Sequence, residues 1–403
     1  MDAASTYLLS RLPLLLLFGG GYVLYRLMDA TGLAEALAAK ALEAGRGRIV
    51  SVLAAVVASA GFLSLLVSNT ITVLALLPTL KELDEQAKRA GVPLTTALTL
   101  SVVYGANIGG MGSLIGSPAN MLLLGALDYF HVPGAERITF GSWLLWALPL
   151  VLVLLAIALA LVLAGAVPRR ALSLRLGVRR APALNVRQRR ASAAIAVFLA
   201  FWTLDAAARS IWPGYTAHAV LASCLFTAAW LVGAMLPRPR LLTIRDLFSG
   251  VPRRGLLFAA LLGVVLVAVR IFRLDDLAAS AVADLIGKDA PVWLLYLGTA
   301  LSVILLTEIF SNTIVATAFF GVIHAAALAH GAAPLPLMIL VSTASTCAFM
   351  TPAATPVNAL AFGEMRGTSL WRMLALGLIL NLAAALLMTA WINRAIPFVY
   401  GIS

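Results

Sequence analysis

Long apolar runs alternate with short polar gaps along this chain, and two of the runs are broken near the middle by the same three polar residues. Ile49 to Leu80 is broken at Ser68-Asn69-Thr70, and Trp293 to Ala329 at Ser311-Asn312-Thr313. A hydrocarbon layer about 30 Å thick is crossed by about 20 helical residues, so each run is too long for one straight crossing. A helix that enters, turns at the tripeptide and leaves by the same side satisfies the length. The pattern therefore predicts two re-entrant helical hairpins, 49–80 and 293–329. Two further runs, 93–130 and 337–364, carry helix breakers at their centres: GANIGGMGSLIGSPAN, with Gly105, Gly109, Gly110, Gly112, Gly116 and Pro118, and Met350-Thr351-Pro352-Ala353-Ala354-Thr355-Pro356. These predict discontinuous transmembrane helices, a break at membrane depth being tolerated only where it faces protein or a watery cavity. For the glycines alone, close helix packing of the GxxxG kind is the competing explanation. Single crossings are predicted at Arg11–Met28, Trp143–Val167, Ala191–Arg209, Ala217–Leu236, Gly255–Phe272 and Leu370–Trp391. Thr31–Arg48 reads as an amphipathic surface segment, and no cleavage site follows the first apolar run, which is taken as mature sequence rather than a signal peptide.

The runs align with one another. Ser68 and Ser311 are 243 residues apart, Ser117 and Thr355 238, Asn120 and Asn358 238, and Phe18 and Phe258 240. An internal repeat of about 240 residues follows. The expected organisation is a first repeat over 1–166, a basic loop over 167–190 and a second repeat over 191–403. Before its Phe258 helix the second repeat has two helices, between Ala191 and Leu236, that have no counterpart before Arg11, so the first repeat is expected to lack its leading helices.

Composition agrees with a chain dissolved in lipid: 62% hydrophobic and 11% charged over 403 residues. The net charge of +12 does not point to nucleic acid, because the basic residues sit in the gaps between apolar runs. Eight arginines fall within 169–190, and a second basic loop holds Arg238, Arg240, Arg245, Arg253 and Arg254. With these loops cytoplasmic, 22 of the 29 lysines and arginines lie inside. The first hairpin then enters from the cytoplasm and the second from outside, beyond an acidic segment with Asp275, Asp276 and Asp284. This makes the repeats inverted, a common construction for secondary transporters. The fold class expected is an all-α, multi-pass protein of the cell inner (plasma) membrane. Cys224 and Cys347 both lie in apolar runs and form no disulfide framework or metal-ligand pattern. A membrane-embedded enzyme would need a nucleophile–base pair, a metal cluster or an acidic dyad, and the sequence presents none.

The paired Ser-Asn-Thr tripeptides, IGGMGSLIGSPAN at 108–120 and CAFMTPAATPVNALAFG at 347–363 together resemble the divalent anion/sodium symporter family of the ion transporter superfamily. Where that family often has a double proline, this chain has Pro118-Ala119 and Pro356-Val357. The resemblance implies sodium-coupled movement of a small divalent anion (succinate, malate, fumarate, citrate or sulfate), elevator-type alternating access and a homodimer. It also implies that the absent leading helices are the family's opening ones. Its two sodium sites map onto Ser64, Ser68, Asn69 and the Gly116 carbonyl, and onto Thr307, the Phe310 carbonyl, Asn312 and the Ala354 carbonyl. Hydroxyl, amide and carbonyl oxygens are the ligands a hard cation takes. For Ser64 or Thr307 alone, a hydroxyl bonded back to its own helix is the competing explanation. The anion is expected between the tips, on Asn69, Thr70, Asn312 and Thr313, with Ser117 and Thr355. With no Arg or Lys near either motif, amide and hydroxyl donors, half-helix dipoles and the cations would hold it. No enzymatic cofactor is implied.

Other ionisable residues leave alternatives open. Glu308, beside Thr307, would tune the second cation site or meet a proton, or else orient the hairpin through hydrogen bonds. His324 is a packing residue or a proton relay. These two keep an anion exchanger or a proton-coupled carrier in view. Asp128, Asp205 and Glu364 lie near predicted helix ends.

Overall fold

The computed structural model describes residues 3–402 apart from 46, 179, 237–238, 250–270 and 273–290. Most of the expected helix Gly255–Phe272 with Phe258, the acidic residues Asp275, Asp276 and Asp284, and Arg46, Arg238, Arg253 and Arg254 lie outside the described residues. Within the described residues the protein is all α-helical, with one isolated bridge between Arg48 and Arg175. Among the described residues six helices are long and apolar enough to cross a membrane.

The first half comprises α1 (Ala3–Thr31), α2 (Leu33–Ala44), α3 (Ile49–Ser64), α4 (Asn69–Arg89), α5 (Thr95–Gly110), α6 (Pro118–Tyr129) and α7 (Phe140–Gly165). Among its described residues the second comprises α8 (Val186–Ile211), α9 (Thr216–Met235), the short α10 (Ile244–Ser249), α11 (Val292–Thr307), α12 (Asn312–Ala329), α13 (Pro334–Ala344), α14 (Pro356–Glu364) and α15 (Leu370–Tyr400). α3–α4 and α11–α12 are the two helical hairpins, turning at 65–68 and 308–311. α5–α6 and α13–α14 are the two broken helices. α1, α8 and α9 pack on one another, while α3, α5, α7, α13 and α15 form the centre. All of α5 is buried, as is α13 from Leu335 onward.

Both breaks overlap the stretches that the glycines and prolines mark but differ from them in extent. The helix of α5 continues through Gly105, Gly109 and Gly110, and the unwound stretch is 111–117. Gly105 and Gly109 are packing glycines: a Cβ at Gly109 would stand 2.2 Å from the Gly61 carbonyl oxygen, and one at Gly105 2.7 Å from that of Val57. The GxxxG explanation thus holds for these two, because the close approach of α3 repays the helical cost of glycine. In the second half the chain leaves its helix after Ala344, six residues before Met350. The backbone groups of 348–351 find other partners there, namely the side chains of Asn107, Asn358 and Glu308. Elsewhere the helices run past their apolar limits: α4 continues as an amphipathic helix to Arg89, and α15 reaches Tyr400.

The two hairpins are held by different sets of partners. Gln86, late in α4, exchanges hydrogen bonds with the backbone of Gly177, the Leu176 N–H donates to Gly47, and Lys81 pairs with Glu364. Leu176 and Gly177 belong to the arginine-rich loop. In the second hairpin His324 of α12 stacks on Phe130, at the end of α6, whose Asp128 pairs with Arg11 of α1; Arg137 donates to the carbonyls of Tyr400 and Gly401.

Candidate functional site

Four helices begin at the same place. α4 starts at Asn69, α12 at Asn312, α6 at Pro118 and α14 at Pro356, and all four residues line one cavity of about 580 Å³. In each case the sequence dictates the start. Ser68, Ser311, Ser117 and Thr355 are extended N-cap residues, and proline at the first helical position of α6 and α14 costs nothing because that N–H has no intrahelical partner. The first-turn N–H groups and positive dipole ends of four helices therefore meet at one space.

The cavity wall contains Ser68, Asn69, Thr70, Gly116, Ser117, Ser311, Asn312, Thr313, Ala354 and Thr355, together with Ile309, Phe310, prolines and small apolar residues. All six residues expected to hold the anion are on it. None of the described residues lining it is charged. Of the expected cation ligands, Ser64 and Thr307 stand behind the wall, both fully buried.

Around the first tip the backbone packs closely. A Cβ on Gly116 would lie 2.9 Å from the Ser64 carbonyl oxygen and 2.7 Å from that of Gly110, so only glycine admits this approach. The Asn69 amide lies against Gly110 and donates to Asn107 Oδ1 at 3.3 Å, while its own Oδ1 is buried with no hydrogen-bond partner among the described residues. Asn312 Oδ1 at the second tip is in the same state. A buried amide oxygen without a donor is costly unless a ligand answers it, and a cation would. The hydroxyls differ: Ser64 donates across its hairpin to Thr72 at 3.1 Å, whereas Thr307 bonds back to the Ile304 carbonyl at 2.8 Å.

Side chains that sequence reasoning passed over hold the breaks in shape. Asn120 Nδ2 donates to the carbonyls of Gly110 and Ser113, and Asn358 Nδ2 to those of Ala348 and Thr351. Each pair of carbonyls recurs at the same 238-residue offset as the asparagines. Each asparagine is also tied to the other half, Asn358 Oδ1 accepting from Asn107 at 3.0 Å and Asn120 Oδ1 from Ser342 at 2.9 Å. The hydroxyls of Ser113 and Thr351 repeat the symmetry, donating to the carbonyls of Leu65 and Glu308 at the hairpin turns. Thr355 Oγ1 donates to Asn358 Oδ1 and accepts from the Asn358 N–H, so it is already engaged within its own cap.

Glu308 breaks the symmetry. Its carboxylate, almost fully buried, accepts from the backbone N–H groups of Phe349, Met350 and Thr351 at 2.7–2.9 Å and from Asn381 Nδ2 of α15 at 2.8 Å. Leu65 is its counterpart in the first half. There Trp143, offset by 238 residues from Asn381, donates instead to the Met111 carbonyl at 3.0 Å. Of the alternatives for Glu308, orienting the hairpin against the break is the one with partners on every side. His324 is absent from the cavity wall and stacks on Phe130, ring centroids 4.6 Å apart.

Comparison with known proteins adds the following. The family described as citrate transporter matches residues 8–337. A sodium-dependent dicarboxylate transporter of Staphylococcus saprophyticus is 26% identical over 421 aligned residues, covering 96% of this chain and 78% of that protein. A sodium-dependent high-affinity dicarboxylate transporter of Caenorhabditis elegans is 25% identical over 391, covering 86% and 68%. The crystal structure of the Alcanivorax borkumensis YdaH transporter, described as having an unusual topology, superposes with a TM-score of 0.64 at 16% identity, over 99% of this chain and 90% of that one. That likeness shows a shared fold.

Proposed function

This chain belongs to the citrate transporter family, and on that premise we propose that it is a secondary transporter coupling sodium to the movement of a small dicarboxylate. It is a multi-pass membrane transporter, not an enzyme. The observation that carries the reading is the meeting of four helix N-termini on a cavity whose described lining has no charged side chain. A dianion there would be held by the N–H dipoles, by Asn69, Thr70, Asn312 and Thr313, and by Ser117, with Thr355 joining once its hydroxyl turns from Asn358 Oδ1, and with no full positive charge from the protein. The missing charge is what the cations would supply. Sodium at Ser64, Ser68, Asn69 and Gly116, and at Thr307, Phe310, Asn312 and Ala354, would order the tips and make them positive enough for a dianion. Binding is then conditional on sodium, which is the coupling.

Two helical hairpins and two broken helices recurring at a common offset support inverted repeats, with the domain bounds 1–166, 167–190 and 191–403. An elevator motion of the hairpins and broken helices against α1, α8 and α9 is the alternating-access step in this reading. A homodimer completes it. Proton coupling or exchange gains nothing from His324, which packs away from the cavity, or from Glu308, whose carboxylate is occupied. The test is uptake of labelled succinate into proteoliposomes with sodium, lithium or choline outside. Sodium-stimulated uptake is expected, and equal uptake with all three cations overturns the reading.

A further inference from the structure

The two hairpin turns share a backbone but treat their side chains in opposite ways. In the first turn the N–H groups of Leu66 and Val67 donate to Leu63; in the second those of Ile309 and Phe310 donate to Leu306. The residues correspond at the 243-residue offset. Leu66 and Val67 are 6% and 2% exposed and belong to the core, whereas Ile309 and Phe310 are 73% and 51% exposed and line the cavity. Only the second tip shows large apolar side chains to the space where the proposed substrate sits.

This placement has a chemical consequence. Phe310 directly precedes Ser311-Asn312-Thr313 and shares the cavity lining with them, so a half-exposed apolar residue adjoins the donors that would hold one carboxylate. A ring face carries negative quadrupole charge and offers no hydrogen, and Ile309 offers none either. Methylene groups lose nothing against such a wall, but a hydroxyl or a further carboxylate turned towards it gives up water without a replacement donor.

We propose that Phe310 and Ile309 are specificity-determining residues that select dicarboxylates with an unsubstituted or alkyl-substituted hydrocarbon body over hydroxylated and tricarboxylic anions. The inference rests on the dicarboxylate reading above. It assigns to the side chain of Phe310 a role separate from that of its carbonyl, and it makes citrate a poor ligand of a chain whose family is described by citrate.

The experiment is competition against sodium-driven uptake of labelled succinate in proteoliposomes by unlabelled succinate, methylsuccinate, malate and citrate. For the wild type, methylsuccinate is expected to compete as well as succinate, malate about tenfold more weakly and citrate on the order of 100-fold more weakly. Phe310→Ser should narrow the citrate-to-succinate ratio by at least about fivefold, and Ile309→Ser should narrow it in the same direction. The ratio cancels any general loss of affinity. Stabilisation of the purified wild-type protein against heating, by methylsuccinate but not by citrate in sodium, reads the same preference without a variant. Equal competition by citrate and succinate in the wild type, or a ratio unchanged by both substitutions, overturns the inference while leaving the dicarboxylate reading intact. Absence of sodium-stimulated succinate uptake in the wild type overturns the dicarboxylate reading itself.

Discussion

Asn107 donates through Nδ2 to Oδ1 of Asn358 at 3.0 Å, joining the last turns of α5 to the start of α14 across the centre of the molecule. Asn107 also donates to the Ala348 carbonyl and accepts from Asn69, so one fully buried amide links the first hairpin tip to the second broken helix. A cycle of Asn107→Ala, Asn358→Ala and the double variant, followed by thermal unfolding in detergent, should give a coupling energy of about 0.5–1.5 kcal/mol. Additivity of the two substitutions would show that the contact holds nothing together.

Glu308 gives a second prediction. Four donors converge on its carboxylate. Glu308→Gln keeps the shape but replaces an acceptor oxygen by an NH₂ group that opposes backbone N–H donors, at a cost of about 1–3 kcal/mol. The break at 349–351 should then loosen. Sodium-driven uptake should fall by roughly tenfold or more, with a higher half-saturating sodium concentration. Wild-type sodium dependence in Glu308→Gln would refute the orienting role.

How far the sequence reached is clearest around these residues. The paired helices, the turns between them and six positions on the cavity wall were legible because polar tripeptides in apolar runs are costly in lipid and so conspicuous. The bounds of the breaks were not, because a break is made by the side chains that receive its backbone as much as by glycine and proline. Gly105 and Gly109 stay helical against α3, while Ser345 to Phe349 unwinds with no breaker in it. Asn107 and Asn381 went unread although each is a lone amide in an apolar run, and Asn120 and Asn358 served only to set the offset of the repeats. The unequal fate of Val67 and Phe310 was out of reach, since both are apolar residues at matching positions and only tertiary packing separates them.

The tips supply the third prediction. Asn69→Ala and Asn312→Ala each remove an amide from the cavity wall, including an oxygen that has no partner among the described residues. Each should abolish succinate uptake at sodium concentrations that saturate the wild type, while the purified variants keep a wild-type unfolding transition to within about 1 kcal/mol, little internal bonding being lost. Uptake at full rate in either variant would place the site elsewhere.

The fourth prediction separates a cation ligand from a helix hydroxyl. Thr307 bonds to the Ile304 carbonyl and Ser64 to Thr72, so in both cases the oxygen has spent its proton and keeps lone pairs for a cation. Thr307→Val preserves volume and branching but removes the oxygen; Thr307→Ser preserves the oxygen; Ser64→Ala removes its own. If the oxygens bind sodium, Thr307→Val and Ser64→Ala should each raise half-saturating sodium by roughly tenfold, about 1.4 kcal/mol, with the succinate KM restored at saturating sodium. Thr307→Ser should stay close to wild type. If the Thr307 hydroxyl serves only its own helix, Thr307→Val leaves the sodium dependence untouched, and the second cation site then loses one of its four expected ligands.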